Sequence, residues 1–292
     1  RYCLIVYNLN PMNEVAQKSW QDFDIDEHSL SAKVMDRVVR VVKPNAYDSF
    51  HRLMLLMRAT DNAVDEGKSF AFAKECIKSQ WEYLDNVHEV DPDNDLFLVS
   101  ELGQLLSDLP EKSRPMFIDR YLGLLKYFYL DLLHRHYLRP YSQERLNKHR
   151  DNGFFQFFGS IKVILNGENV DDNGKFRELT NIWAKSEPIG DLEEDLRCGL
   201  VFFTSEEGAD WVKELKPGSP VNEQEINSYI DTIKIELSRQ MIKLAPAAMQ
   251  EIGGIVGLLM TLDFVKRSIF LRRKKFAPKK EVIYGSGRFT QD

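Results

Sequence analysis

The 292-residue sequence predicts an all-α protein, a single-domain antiparallel helical bundle around a central cavity. Three observations predict it. Apolar residues recur at steps of three and four over long stretches, and no stretch keeps the two-residue period of a strand. Proline and glycine breakers part these stretches into helices with short connections, the pattern of a compact bundle. No internal repeat or low-complexity linker divides the chain, so residues 28–292 read as one domain behind an arm over residues 1–27.

The arm joins an apolar opening, Tyr2 to Tyr7, to an acidic, proline-containing tail. The first helix is expected over Ser29–Val42 and carries Lys33, Arg37 and Arg40; Pro44 ends it. The second, Ala46–Glu66, holds the apolar run Leu53 to Met57 and meets Gly67 as its C-cap. Further helices are expected over Ser69–Val87, Asn94–Leu109, Arg114–Leu138, Ser142–Leu165, Lys175–Cys198, Ser205–Leu215, Asn222–Leu244 and Ala248–Phe276. Asp91-Pro92-Asp93, Pro110, Pro140, Gly167, Gly174, Gly199, Pro217-Gly218 and Pro246 mark the breaks.

Composition excludes several classes. A formal charge of -6 gives no reason to expect a nucleic-acid partner. The longest apolar stretch, Ile252 to Phe264, is interrupted by glycines and Asp263 and is too short to span a bilayer. Three widely spaced cysteines, Cys3, Cys76 and Cys198, argue against a disulfide framework and for a soluble protein in a reducing compartment, cytoplasm or plastid. The chain opens at Arg1 rather than Met, which leaves room for a removed N-terminal targeting segment.

Chemistry is concentrated in two acidic faces. Glu187, Asp191 and Asp195 recur at steps of four, so a helix would line up their carboxylates. Asp61 and Asp65 repeat the spacing at the end of a buried helix. Like charges so placed repel by a few tenths of a kcal/mol per pair, roughly. Bound Mg²⁺, which prefers carboxylate oxygens and retained waters, would relieve that repulsion. The plain alternative is a solvated acidic surface; the apolar flanks of both faces argue for a cavity between two core helices instead. Basic residues supply the other half of an anion site: Arg58 one turn before Asp61, then Lys148 and Arg150, Lys185, and Arg273 in the basic end of the last helix, with Tyr284 behind it. Phe117, Tyr121, Tyr127 to Tyr129 and Phe154 to Phe158 are either ordinary core or the wall of a pocket that shelters a carbocation.

Asp191-Leu-Glu-Glu-Asp195-Leu-Arg-Cys-Gly199 resembles the second aspartate-rich motif of the squalene/phytoene synthase family, and Arg58-Ala-Thr-Asp61-Asn-Ala-Val-Asp65-Glu66 resembles its first. Tyr141 to Gly167 is similar to that family's glycine-containing central helix and to its counterpart in class I terpene cyclases. The resemblance covers roughly residues 28–280 and implies a class I terpenoid synthase-like bundle. Departures are informative. Glu187 stands where the family has Asn, Ala184 where it has Gln, Gly190 where it has Arg, Asn62 for the second Asp of the first motif, and Met54 where it has Tyr. The combination is similar to the algal N-prenyltransferases of domoic and kainic acid biosynthesis.

That resemblance implies ionisation of an allylic diphosphate of geranyl size. Two or three Mg²⁺ ions would be held by Asp61, Asp65, Glu187, Asp191 and Asp195, and the diphosphate by Arg58, Lys148, Arg150, Lys185, Arg273 and Tyr284. Transfer to the amino group of a small amino-acid acceptor, L-glutamate, is expected, with Lys33 and Arg37 as carboxylate clamps. A head-to-head synthase and a terpene cyclase are the alternatives within this chemistry. A non-catalytic helical assembly protein is the alternative outside it.

Overall fold

A computed structural model describes residues 30–65, 69–85, 97–137 and 141–286. The expected arm over residues 1–27 lies outside them. The helices are α1 (Leu30–Val42), α2 (Tyr47–Asp65), α3 (Phe70–Asp85), α4 (Phe97–Asp108), α5 (Arg114–Tyr137), α6 (Gln143–Asn152), α7 (Phe154–Asn166), α8 (Lys175–Ser186), α9 (Pro188–Cys198), α10 (Glu223–Ile252) and α11 (Gly254–Arg273). Among the described residues the fold is all-α, and its one β-type pairing is an isolated bridge between Pro220 and Ile283. None of these helices is long and apolar enough to cross a membrane. Cys76 is a buried free thiol.

One hydrophobic cluster runs from Val39 on α1 to Tyr284 in the C-terminal tail. α5 passes through it, burying Phe117, Tyr121, Leu124, Leu125, Phe128 and Leu132 at helical spacing. A buried hydrogen-bond chain fixes α2 against it: the Tyr121 hydroxyl donates to Gln80 Oε1 at 2.6 Å, and Gln80 Nε2 donates to Thr60 Oγ1 at 3.0 Å. Arg120, 2% exposed, ties α5 to the loop before α8 through Asn169 Oδ1 at 2.7 Å and Asp172 Oδ1 at 2.8 Å. Gly159 lets α7 come that close, since a Cβ there would lie 3.0 Å from Arg120 Cδ.

Four expected boundaries are corrected. The helix expected over Ser142–Leu165 breaks at Gly153, where a Cβ would press 3.1 Å from the Tyr127 ring. The helix expected over Lys175–Cys198 breaks at Glu187, because Pro188 has no N–H to continue the ladder and its ring crowds the carbonyl four residues back. Ser205–Leu215 is two 3₁₀ turns, Ser205–Glu207 and Asp210–Glu214, parted by Gly208 in the left-handed region at φ 88°. Pro246 does not end its helix. α10 continues to Ile252, its packing against α8 and α11 outweighing one lost hydrogen bond, and the chain turns at Gly253 with φ 77°.

The tail then folds back. Val221 N donates to Val282 O at 3.0 Å and Tyr284 N to Ser219 O at 3.0 Å, and Gly285 N reaches Leu196 O on α9 at 2.9 Å.

Candidate functional site: a two-lobed cavity

α2 buries Leu53, Leu55 and Leu56 and turns Met54, Met57, Arg58 and Asp61 toward an internal cavity. Leu124, Tyr127 and Phe128 of α5 and Phe154 and Phe157 of α7 close the far side, giving an apolar lobe of about 260 Å³. A second lobe of about 370 Å³ continues from it, sharing Arg58, Asp61, Tyr127, Gly153, Phe154 and Glu187. Its other walls are polar: Asp131 and Arg135 of α5, His149 and Arg150 of α6, and Asp191 and Asp195 of α9. Together the lobes have the size and the mixed lining of small-molecule sites, about 300–1,000 Å³.

The break at Pro188 aims the acids. Glu187 keeps helical angles, φ -61° and ψ -46°, closing α8 and opening α9. Its backbone N donates to Trp183 O at 2.9 Å and its carbonyl accepts from Gly190 N at 2.7 Å. One turn on, Asp191 and Asp195 line the same lobe as Glu187 and, across from them, Asp61. Arg58 Nη1 donates to Asp61 Oδ2 at 3.2 Å. Arg267 of α11 lies over the Trp183 ring, 4.5 Å from its centre, with Nη1 3.8 Å from Glu187 Oε1.

Electrostatics mark Glu187, Asp195 and Asp61 off from surface carboxylates. Burial pushes Glu187 up to about 8; Arg267 opposes the shift, and the negative charges of Asp191, Asp61 and Asp131 reinforce it. Asp195 is raised well above the usual range by burial and by Asp191, Asp131 and Glu187. Burial also raises Asp61, against the pull of Arg58. The cavity is therefore a place where negative charge is in excess and a cation is favoured.

The expected site residues divide. Asp61, Glu187, Asp191, Asp195 and Arg58 come together as expected from their spacing. Arg150 lines the same lobe but is committed: its two Nη atoms grip both carboxylate oxygens of Glu207 at 2.5 and 2.9 Å, and Nη2 also donates to Phe202 O at 2.9 Å. Lys185 lies outside the lining and pairs with the same Glu207 at 3.4 Å. Lys148, 65% exposed, pairs with Glu144 at 2.7 Å on the outer face of α6, because each helical step of about 100° turns it away from His149 and Arg150. Tyr284 is buried under α9 with its hydroxyl donating to Gly199 O at 3.0 Å, so it anchors the tail instead of meeting an anion. Arg273 and Arg37 are exposed on α11 and α1 and do not line either lobe. The side chains of Asp65 and Lys33 lie outside the described residues.

Sequence reasoning missed Asp131, Arg135 and the place of His149. Their signal was present: Tyr127, Asp131 and Arg135 stand four apart on a helix that is otherwise core, and charge there needs a reason.

Among the described residues no group of three or more His, Cys, Asp or Glu closes on a common point as a ready-made metal centre. The donors that do face the lobe are carboxylates, suited to Mg²⁺ that keeps several waters and takes one or two direct ligands. Compared with protein-family models, with curated proteins and with solved structures, the chain matches none.

Proposed function

We propose that the chain is a Mg²⁺-dependent prenyltransferase. In this reading it ionises an allylic prenyl diphosphate of geranyl size and transfers the prenyl group to the amino group of a small acceptor, L-glutamate, releasing diphosphate. The observation that carries the reading is the pairing of an aromatic, methionine-lined lobe with an acidic lobe at a shared edge, Asp61 and Glu187. A prenyl diphosphate has the same two ends.

When bound, Mg²⁺ would neutralise the leaving diphosphate, with Asp61, Asp65, Glu187, Asp191 and Asp195 holding it. Arg58 and Arg135 line the same lobe and would set guanidinium charges beside the leaving oxygen. Tyr127, Phe128, Phe154 and Phe157 line the apolar lobe and would shelter the prenyl chain and its allylic carbon from water. Met54 and Ala184 stand where head-to-head synthases carry Tyr and Gln, and both line the cavity. That change favours one diphosphate plus a different acceptor.

Mass spectrometry after incubation with geranyl diphosphate, MgCl₂ and a pool of amino acids tests the proposal. A prenylated amino acid is expected. Squalene- or phytoene-type hydrocarbon as the sole product would return the chain to head-to-head condensation, and a cyclic hydrocarbon to the cyclases. No Mg²⁺-dependent diphosphate release at all would favour a non-catalytic helical protein.

A further inference from the structure

One wall of the acidic lobe is a buried cluster drawn from α5, α6 and the segment after α9. Asp131 and His149 are 9% and 5% exposed, and both line the lobe. His149 Nε2 lies 2.6 Å from Asp131 Oδ1, and the Tyr141 hydroxyl donates to the same oxygen at 3.4 Å. The rings of Tyr127, Phe202 and Tyr141 have their centres 4.3, 5.1 and 5.5 Å from that of the imidazole, which fixes its plane. His134 next door is already committed: its Nε2 accepts from Val201 N at 3.4 Å, and burial pushes its pKa down to about 3, so it stays neutral. Nε2 of His149 is buried against the Asp131 carboxylate without a formed hydrogen bond, which leaves Nδ1 as the nitrogen to meet a ligand.

An acceptor amino acid arrives as an ammonium with no free electron pair. Diphosphate becomes a base only once the allylic C–O bond has broken, so a group that takes the proton before ionisation has to come from the protein. A carboxylate set against one nitrogen of an imidazole beside a substrate cavity favours histidine as a base, since the negative charge stabilises the imidazolium that forms. We propose, resting on the prenyl-transfer reading above, that His149 is the base that deprotonates the acceptor's ammonium and that Asp131 is its positioning residue.

One ammonium proton passes to Nδ1 and frees the nitrogen pair. The allylic C–O bond breaks with its electrons leaving on diphosphate, and the nitrogen pair closes the C–N bond. The product departs as a secondary ammonium, and the imidazolium gives its proton to solvent.

The test reads a partition. Purified protein is given geranyl diphosphate, MgCl₂ and L-glutamate, and the ratio of N-prenylated product to prenyl alcohol is measured. His149→Gln and Asp131→Asn are each expected to lower that ratio by about a hundredfold, the usual scale of general-base catalysis. With aminooxyacetate in place of L-glutamate the fall should be far smaller, because that nitrogen is already unprotonated at neutral pH. His136→Gln, at the exposed end of α5, should keep the wild-type ratio with both acceptors. An equal fall with both acceptors, or no fall with either, overturns the base. Should His149→Gln fail to fold by circular dichroism, the near-isosteric Asp131→Asn decides alone. Wild-type protein that forms no prenylated amine with either acceptor overturns the prenyl-transfer reading and this role with it, and is told apart by the wild-type trace.

Discussion

Replacing Glu187 by Gln is expected to stabilise the metal-free protein, and to do so only at higher pH. Glu187 is held protonated in the folded chain up to about 8, against an ordinary value of 4.5. Unfolding frees it to ionise. The folded state therefore binds more protons than the unfolded one across that window, and stability falls as pH rises from about 4.5 toward 8. Every tenfold gain in proton affinity on folding corresponds to about 1.4 kcal/mol, which sets a ceiling of about 5 kcal/mol. The side chain is 31% exposed to the cavity, so screening by water brings the expected effect to about 1–2 kcal/mol. Thermal unfolding read by circular dichroism should then show Glu187→Gln melting about 2–6 °C above wild type at pH 8 and level with it at pH 5. MgCl₂ should raise the wild-type melting temperature more at pH 8 than at pH 5, since the cation competes with the proton, and should do less for the variant. Equal melting temperatures for the two proteins at both pH values would refute the idea that charge on Glu187 strains the cavity.

Three further outcomes are expected. Asp61→Ala or Asp191→Ala should abolish Mg²⁺-dependent diphosphate release while helical content by circular dichroism stays intact, because each removes an acid from a repulsive cluster; retained turnover would exclude that residue as a ligand. Arg150→Ala should destabilise by about 2–3 kcal/mol in urea titration by leaving Glu207 with Lys185 alone, and adding Glu207→Ala should recover part of that loss, whereas an Arg150 that served only the ligand would leave stability unchanged. Tyr284→Phe should cost about 1–2 kcal/mol through the unsatisfied Gly199 carbonyl, with no change in KM for geranyl diphosphate.

What could be read from sequence was local. The steps of four among Glu187, Asp191 and Asp195 hold on any helix, so the acidic wall was legible in outline. Gly153 and Gly253 were visible as glycines, but which glycine breaks a helix depends on what presses on it. At Gly153 that is the Tyr127 ring, whereas Gly253, with open space where a Cβ would sit, turns the chain through its left-handed backbone at φ 77°. Pairings across the fold were not legible. Nothing near Arg150 in sequence predicts its capture by Glu207, 57 residues on, and Lys148 reads as an equally good anion donor until helix phase turns it outward. Asp131 and His149 were hidden for the same reason: their contact joins two helices, and each alone looks like an ordinary core exception.

The docking of the tail on α9 has a consequence for the order in which the protein can be made. Leu196 and Gly199, at the end of the helix carrying Asp191 and Asp195, receive hydrogen bonds from Gly285 and Tyr284. Those two residues leave the ribosome after all of α1 to α11 has been synthesised. A nascent chain halted after α11 therefore holds the aromatic lobe and both partners of the His149–Asp131 pair, yet lacks the clasp on the carboxylate helix. Fastening of the acidic lobe is thereby tied to synthesis of the tail, and a premature stop removes the two hydrogen bonds that clasp its carboxylate helix.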